Sequence, residues 1–294
     1  MALAAHDLGG AGPVLLMLHA NGFNGQMFLP LARALHASFR CIAFDMPGHG
    51  ESSSVRPPLG YTPEHLTDLV YVKIQAMGLE GCYVFGHSLG GAIALLLEAR
   101  RPGTFAAVYA YEPVLATTAT LQAMTEAKLA TPPLAAMALR RRRAWPSRAV
   151  MAAALSARPP FGEFTEDVVR LYVAHGARDV AGSSSGEVEL VCDPEFEATV
   201  YNCMDPPPVL DTACVEARVT IAVGRRVPGH VHERITVLSG AVAAALGRGG
   251  LERFEDLGHL GPYEAPERVA ASVRARLTPA GSSWAAEVTT MSKL

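Results

Sequence analysis

The 294-residue chain has no excess of charge of either sign: 25 Lys and Arg stand against 28 Asp and Glu, a formal net charge of −3. Nothing in that balance draws in nucleic acid or an anionic membrane surface, so a small or neutral partner is expected. Charged residues make up only 18% of the chain and hydrophobic ones 50%, enough apolar surface for a large core and too much for disorder. No apolar segment is long enough to span a bilayer. No N-terminal stretch combines a basic start, an apolar run and a small-residue cleavage site. The sequence therefore predicts neither a membrane span nor secretion. Cysteine is scarce too. Cys41, Cys82, Cys192, Cys203 and Cys214 are odd in number and include no C-x-x-C pair, which favours reduced, buried thiols over a disulfide framework or a zinc site. No pattern asks for a metal or a cofactor.

What is present is an alternation of short apolar runs with segments of helical spacing. "PVLLMLHA" at 13–20 and "RCIAFDMP" at 40–47 predict strands, with "GQMFLPLARALHASF" as the helix between them. Thr62 as cap, Pro63 at the first helical position and Glu64 in the first turn mark the start of the next helix. "CYVFGH" at 82–87 and "FAAVYAYEP" from 105 predict two further strands around a helix, "SLGGAIALLLEARR", that is apolar almost all round. At Pro113 the rhythm stops. It resumes with "ARVTIAVG" at 217–224, a helix near 231–247, "LERFEDL" at 251–257 and a helix over 265–277. Strands that are apolar throughout imply a mostly parallel sheet covered on both faces by helices, an α/β fold. Residues 1–113 and 215–277 are assigned to that core, 114–214 to an inserted helical lobe, and 278–294 to a flexible tail.

Gly86-His87-Ser88-Leu89-Gly90 is a G-x-S-x-G sequence with a strand before it and a helix after it, the context in which such a serine is a nucleophile. The sharp turn leaves no room for a Cβ on either side, and it puts the Leu89 amide at a helix N-terminus, where developing negative charge is favoured. A serine nucleophile needs a base. His259, in "LGHLGPYEAPERV", follows the last strand, between Gly258 and Gly261, at the carboxyl edge where α/β sheets form their ligand crevice. The loop His19-Ala20-Asn21-Gly22-Phe23 also follows a strand and offers Asn21 as a second oxyanion donor. His19 and His87 are read as structural or pocket-wall residues.

Four pieces, "LLMLHANGF", "FRCIAFDMPGHGES", "YVFGHSLGG" and "LGHLGPYEAPERV", together resemble the α/β-hydrolase superfamily over roughly residues 10–112 and 215–277. The resemblance implies the α/β-hydrolase fold, with these pieces as oxyanion loop, D-x-P-G-H-G-x-S turn, nucleophile elbow and catalytic histidine. It gives Asp45 a structural role and makes the inserted lobe a cap. One departure is Ala20, where the H-G-x loop has glycine. Another concerns the acid that orients the histidine. In similar proteins an Asp follows the strand corresponding to "VTIAVG", but Gly224-Arg225-Arg226-Val227-Pro228-Gly229 contains no carboxylate. Some members, certain haloalkane dehalogenases among them, place the acid after the strand that follows the nucleophile helix. Glu112 stands there, ending an apolar strand just before Pro113, with Glu233 in reserve.

The resemblance implies a cofactor-free serine hydrolase that cleaves a carboxylic ester of a small or lipid-like apolar substrate through an acyl-enzyme. Ser88, rather than an aspartate, argues against dehalogenase or epoxide hydrolase chemistry. An acyl-CoA thioesterase, a lactone-forming or C–C hydrolase, and a non-catalytic ligand-binding protein remain alternatives. Met124, Leu134, Met137, Phe161, Phe164 and Tyr172, together with Phe23, are candidates for the substrate pocket. Arg140 to Arg143 form either a solvated face or a grip on a phosphate-bearing substrate. The chain finishes Ser292-Lys293-Leu294, an S-K-L sequence that predicts the peroxisomal import receptor as a partner and the peroxisome as destination. The sequence leaves the oligomeric state open.

Overall fold

The computed structural model describes residues 3–52, 61–127, 133–183, 186–225, 230–247 and 249–278, with residues 230–233 described by backbone alone. The S-K-L residues Ser292 to Leu294, all of the expected tail beyond Thr278, and the Glu233 side chain lie outside the described residues.

The strands in chain order are β1 (Ala5–Gly9), β2 (Val14–Leu18), β3 (Arg40–Phe44), β4 (Cys82–His87), β5 (Phe105–Tyr111), β6 (Ala144–Trp145), β7 (Ala177–Asp179), β8 (Val188–Leu190), β9 (Arg218–Gly224) and β10 (Gly249–Phe254). The helices are α1 (Leu29–Leu35), α2 (Pro63–Met77), α3 (Leu89–Arg100), α4 (Thr118–Glu126), α5 (Leu134–Leu139), α6 (Arg148–Ser156), α7 (Glu166–Gly176), α8 (Pro194–Cys203), α9 (His230–Ala245), α10 (Gly261–Glu264) and α11 (Pro266–Leu277). Seven strands form one sheet in the order β1-β3-β2-β4-β5-β9-β10. Only β1 is antiparallel to its neighbour; the other pairings are parallel. This is the α/β-hydrolase fold expected from the sequence.

Side chains of one strand serve both faces. Leu15 and Met17 of β2 pack with Phe28, Phe85 and Tyr109, whereas Leu16 and Leu18 pack with Phe44, Val84, Ile93 and Ile221. A sheet buried on both faces is why its strands read as unbroken apolar runs. Each large apolar side chain so buried stabilises the fold by roughly 1.5–3 kcal/mol. Helix α3 lies against β4 and β5 with Ala92, Ile93, Ala94, Leu95 and Leu97 all buried, which explains its nearly uniform apolar sequence. Helix α2 begins as the sequence predicts: Pro63 is its first residue, and Thr62 Oγ1 accepts from the His65 amide at 3.2 Å.

The segment from 114 to 214, expected as a helical lobe, carries short strands as well as helices. Besides α4 to α8 it contains a small antiparallel sheet, β6-β8-β7. The cysteines also differ from expectation. Cys41, Cys82 and Cys192 are buried thiols, but Cys203 is half-buried and Cys214 is exposed on a surface turn beside Asp211. No helix among the described residues is long and apolar enough to cross a membrane.

Candidate active site

The parallel strands β4 and β5 end side by side, and the residue after each has an unusual backbone. Ser88 has φ 54° and Glu112 φ 43°, the two non-glycine residues at positive φ among those described. Both conformations are held by sheet hydrogen bonds carried one residue past the strands: Ser88 N donates to Tyr111 O at 2.9 Å and Glu112 N to Ala222 O at 2.8 Å. Strain of this kind persists where surrounding structure fixes it, and functional sites are where it gathers. The glycines around Ser88 are required by space. A Cβ on Gly86 would lie 2.6 Å from Gly90 O, and one on Gly90 would lie 2.1 Å from Leu18 O.

The loop after β10 brings His259 over this edge. Its Nδ1 lies 2.7 Å from Glu112 Oε2 and its Nε2 lies 3.1 Å from Ser88 Oγ. Glu112 is fully buried, and its other oxygen, Oε1, accepts from Gly224 N at 2.8 Å and lies 3.2 Å from Thr236 Oγ1. Surrounded by donors, the carboxylate acts as acceptor, which places a proton on Nδ1 and leaves Nε2 as the acceptor for Ser88. The loop itself is pinned from three sides: Tyr111 Oη donates to Gly258 O at 2.9 Å, His87 Nε2 donates to His259 O at 2.8 Å, and Gly258 N donates to Glu264 Oε2 at 3.2 Å. A carboxylate, an imidazole and a hydroxyl in this chain can pass a proton from serine to histidine while the carboxylate balances the resulting charge.

The family model described as "Alpha/beta hydrolase family" matches residues 15–272. The chain belongs to that family. The chain is 40% identical over 92 residues to a magnesium-chelatase 30 kDa subunit of Rhodobacter capsulatus, a match covering 31% of this chain and 32% of that protein. It is 33% identical over 93 residues to a pimeloyl acyl-carrier-protein methyl ester esterase of Aeromonas hydrophila subsp. hydrophila, covering 32% of this chain and 35% of that protein. The chain thus spans about a third of the length of these curated relatives. Among solved structures, E-2-(acetamidomethylene)succinate hydrolase superposes with a TM-score of 0.73 over 94% of both chains at 20% identity, a likeness of fold.

Beside Ser88 the chain has a cavity of about 930 Å³, lined by Ser88, Leu89, His259, Asn21 and Phe23 and by residues of the 114–214 segment. Leu89 opens α3, where the first amides have no acceptor within the helix. The loop carrying Asn21 is tied down twice: Asn21 Nδ2 donates to Glu197 O at 3.0 Å, and Gly22 N donates to His49 Nε2 at 2.9 Å. His49 donates from Nδ1 to Pro47 O at 2.8 Å, and burial depresses its pKa to about 3, so it stays neutral and keeps Nε2 free to accept. Asp45 anchors the adjoining turn by accepting from Gly25 N and Glu51 N and pairing with His6.

Of the residues expected in the pocket, Phe23, Leu134, Met137, Phe161 and Tyr172 line the cavity. His19, His87, Met124 and Phe164 do not. His19 is fully buried behind the loop, accepting from Met46 N at 2.9 Å and donating to Ala20 O at 2.7 Å. His87 points to the His259 carbonyl, and burial drives its pKa well below 6.5. Met124 packs inward with Ala116 and Leu238, and Phe164 packs against Phe161 and Tyr263. The arginine run does not form one face. Arg141 is drawn inward to Glu197 and Tyr172, whereas Arg143 pairs with Asp193. Arg140 and Arg142 line the cavity. Sequence reading missed Glu197, Arg234, Trp145 and Tyr201 on the cavity wall, because nothing local distinguishes them from ordinary helix and strand positions.

Proposed function

We propose that this chain is a serine hydrolase acting on carboxylic esters through an acyl-enzyme, with Ser88 as nucleophile, His259 as base and Glu112 as the acid that orients it. The observation that carries the reading is the continuous contact of Glu112 Oε2 with His259 Nδ1 and of His259 Nε2 with Ser88 Oγ, at 2.7 and 3.1 Å, on the wall of a large cavity. Ser88 Oγ attacks the acyl carbonyl and gives its proton to His259 Nε2, while Glu112 balances the imidazolium. The amides of Leu89 and Asn21 take the oxyanion of the tetrahedral intermediate. Collapse expels the alcohol, protonated by Nε2, and a water activated by the same nitrogen releases the acid.

In this reading residues 114–214 are a cap. Support comes from the residues they contribute to the wall, among them Leu134, Met137, Trp145, Phe161 and Tyr172, which supply an apolar surface for the substrate's chain. The test is labelling with a fluorophosphonate together with turnover of p-nitrophenyl esters of increasing acyl length. Labelling abolished in Ser88→Ala and His259→Ala, with turnover lost in step, is the expected result. A folded wild type that neither labels nor turns over any ester refutes the reading.

A further inference from the structure

The cavity wall carries more positive charge than it neutralises. Among the described residues five arginines line it, against Glu197 and Asp205 as the carboxylates. Glu197 is taken by Arg141, a pair that Tyr172 completes. Burial lowers the pKa of the Arg141 guanidinium, but Tyr172 and Glu197 more than offset this and raise it, so Arg141 is a fixed, compensated cation. Arg142 is engaged as well: its Nε donates to Ala144 O at 2.8 Å and its guanidinium lies 5.5 Å from the centre of the Trp145 ring. Arg140 and Arg158, both exposed at the cavity, have no acidic partner among the described residues.

Arg234 is the decisive residue. It lies on α9 two positions before Thr236, whose hydroxyl touches Glu112, and its neighbours Ile235 and Leu238 line the cavity with it. Its side chain is 15% exposed, and among the described residues its Nε is buried without a hydrogen-bond acceptor and its nearest carboxylate oxygen, Asp205 Oδ1, is 3.9 Å from Nη2, outside hydrogen-bond reach. A buried donor on a cation is unfavourable when left without an acceptor, and the guanidinium fork is shaped for the paired oxygens of a carboxylate or phosphate. Ser88 and His259 border the same space, and its wall also includes the apolar Leu134, Leu155, Phe161 and Leu238.

We propose that the substrate is an ester with an apolar chain ending in an anionic group, carboxylate or phosphate, which Arg234 binds while Ser88 attacks the ester at the other end. Arg140 and Arg158 add positive potential at the same cavity, which raises the local concentration of anionic substrate. The choice of bond rests on the ester-hydrolase reading; the anion site does not.

The experiment compares p-nitrophenyl hexanoate with the mono-p-nitrophenyl ester of adipic acid and with its phosphonate-ended analogue, in wild type, Arg234→Gln and Arg234→Lys. Arg40→Gln, a surface arginine away from the cavity and paired with Asp7, serves as charge control. The quantity read is the ratio of kcat/KM for the anionic ester to that for the neutral one. The wild type should favour at least one anionic ester, and Arg234→Gln should lower that ratio by about tenfold to a hundredfold through KM, the range of one charge-assisted hydrogen bond. Arg234→Lys should retain part of it and Arg40→Gln all of it. A wild-type ratio no greater than one, or a ratio unmoved in Arg234→Gln, overturns the proposal. If no ester is turned over, calorimetric titration with adipate and 6-phosphonohexanoate decides separately. Binding weakened at least tenfold by Arg234→Gln upholds the anion site without the hydrolase reading, and no binding at millimolar concentrations overturns it.

Discussion

Replacing Glu112 by glutamine removes a charge while keeping the shape, and the surroundings of Glu112 allow the new amide no satisfactory orientation. One carboxylate oxygen faces the amide of Gly224 at 2.8 Å, fixed at the end of β9, and the other faces His259 Nδ1 at 2.7 Å. If the glutamine turns its NH2 toward Gly224, two donors confront each other in a fully buried site, a conflict costing about 1–3 kcal/mol of stability. If it turns the NH2 toward His259, Nδ1 must accept, the ring proton moves to Nε2, and the nitrogen that should take the Ser88 proton becomes a donor. In either orientation the imidazolium formed during attack has lost its counter-charge. A wrong tautomer of this kind is worth on the order of 10⁴ in kcat, or about 5 kcal/mol of transition-state stabilisation. The assay is steady-state turnover of the best p-nitrophenyl ester, with circular dichroism to establish the fold and fluorophosphonate labelling rates as a second reading of Ser88 reactivity. Glu112→Gln protein that is folded and retains kcat within about tenfold of wild type would refute the assignment and return the search for an acid to other carboxylates.

Three further outcomes are expected. Gly90→Ala puts a Cβ 2.1 Å from Leu18 O, a backbone atom of β2 that cannot move aside, and should destabilise the protein by about 3 kcal/mol or more; urea denaturation showing less than about 1 kcal/mol would contradict the packing argument. His87→Phe removes the donor to the His259 carbonyl and should cost about 1–3 kcal/mol in stability, with a fall in kcat from a less firmly placed imidazole; unchanged kcat and urea midpoint would show that the contact positions nothing. Stability should fall as pH drops below about 6.5, because burial lowers the pKa of His49 to about 3 and also lowers those of His19 and His87. Below 6.5 the unfolded chain takes up protons that the folded chain refuses, so stability present above that pH is progressively lost, by about 3 kcal/mol at pH 4 for His49 alone. His6 works in the opposite direction, its pKa raised chiefly by the hydrogen bond to Asp45, so that its contribution is present below 6.5 and lost as pH rises. Urea midpoints measured across the pH range should slope more gently in His49→Gln; an unchanged slope would refute the assignment of the acid loss to His49.

The core of the fold was legible because its strands are buried on both faces and its turns carry residues whose backbone demands are local. Ser88 is readable from the strand and helix that flank its glycines, and the clash that a Cβ at Gly86 would meet, with Gly90 O, is set by a turn only a few residues long, whereas at Gly90 the clash is with Leu18 O of β2. Glu112 is readable for a related reason: a carboxylate ending an apolar strand needs donors, and the amide at the end of β9 and the imidazole of His259 supply them. Features set by distant parts of the chain were not legible. Strand β1 is five residues long, pairs antiparallel at the sheet edge and mixes polar with apolar residues, so it carries no continuous apolar run. Strands β6 to β8 have two or three residues each, too few to show any period. Arg140 to Arg143 look equivalent in sequence, yet Glu197, 56 residues from Arg141, decides which of them turns inward. His19 and His87 show the same limit. Their nearness to Ser88 and to the loop after β2 was visible, but whether each ring faces the cavity or the scaffold depends on the carbonyl of His259 and the amide of Met46, groups that folding brings from 172 and 27 residues away. Local rules therefore locate Ser88 and Glu112 in the fold, and long-range contacts decide which neighbours hold them in place and which face the cavity.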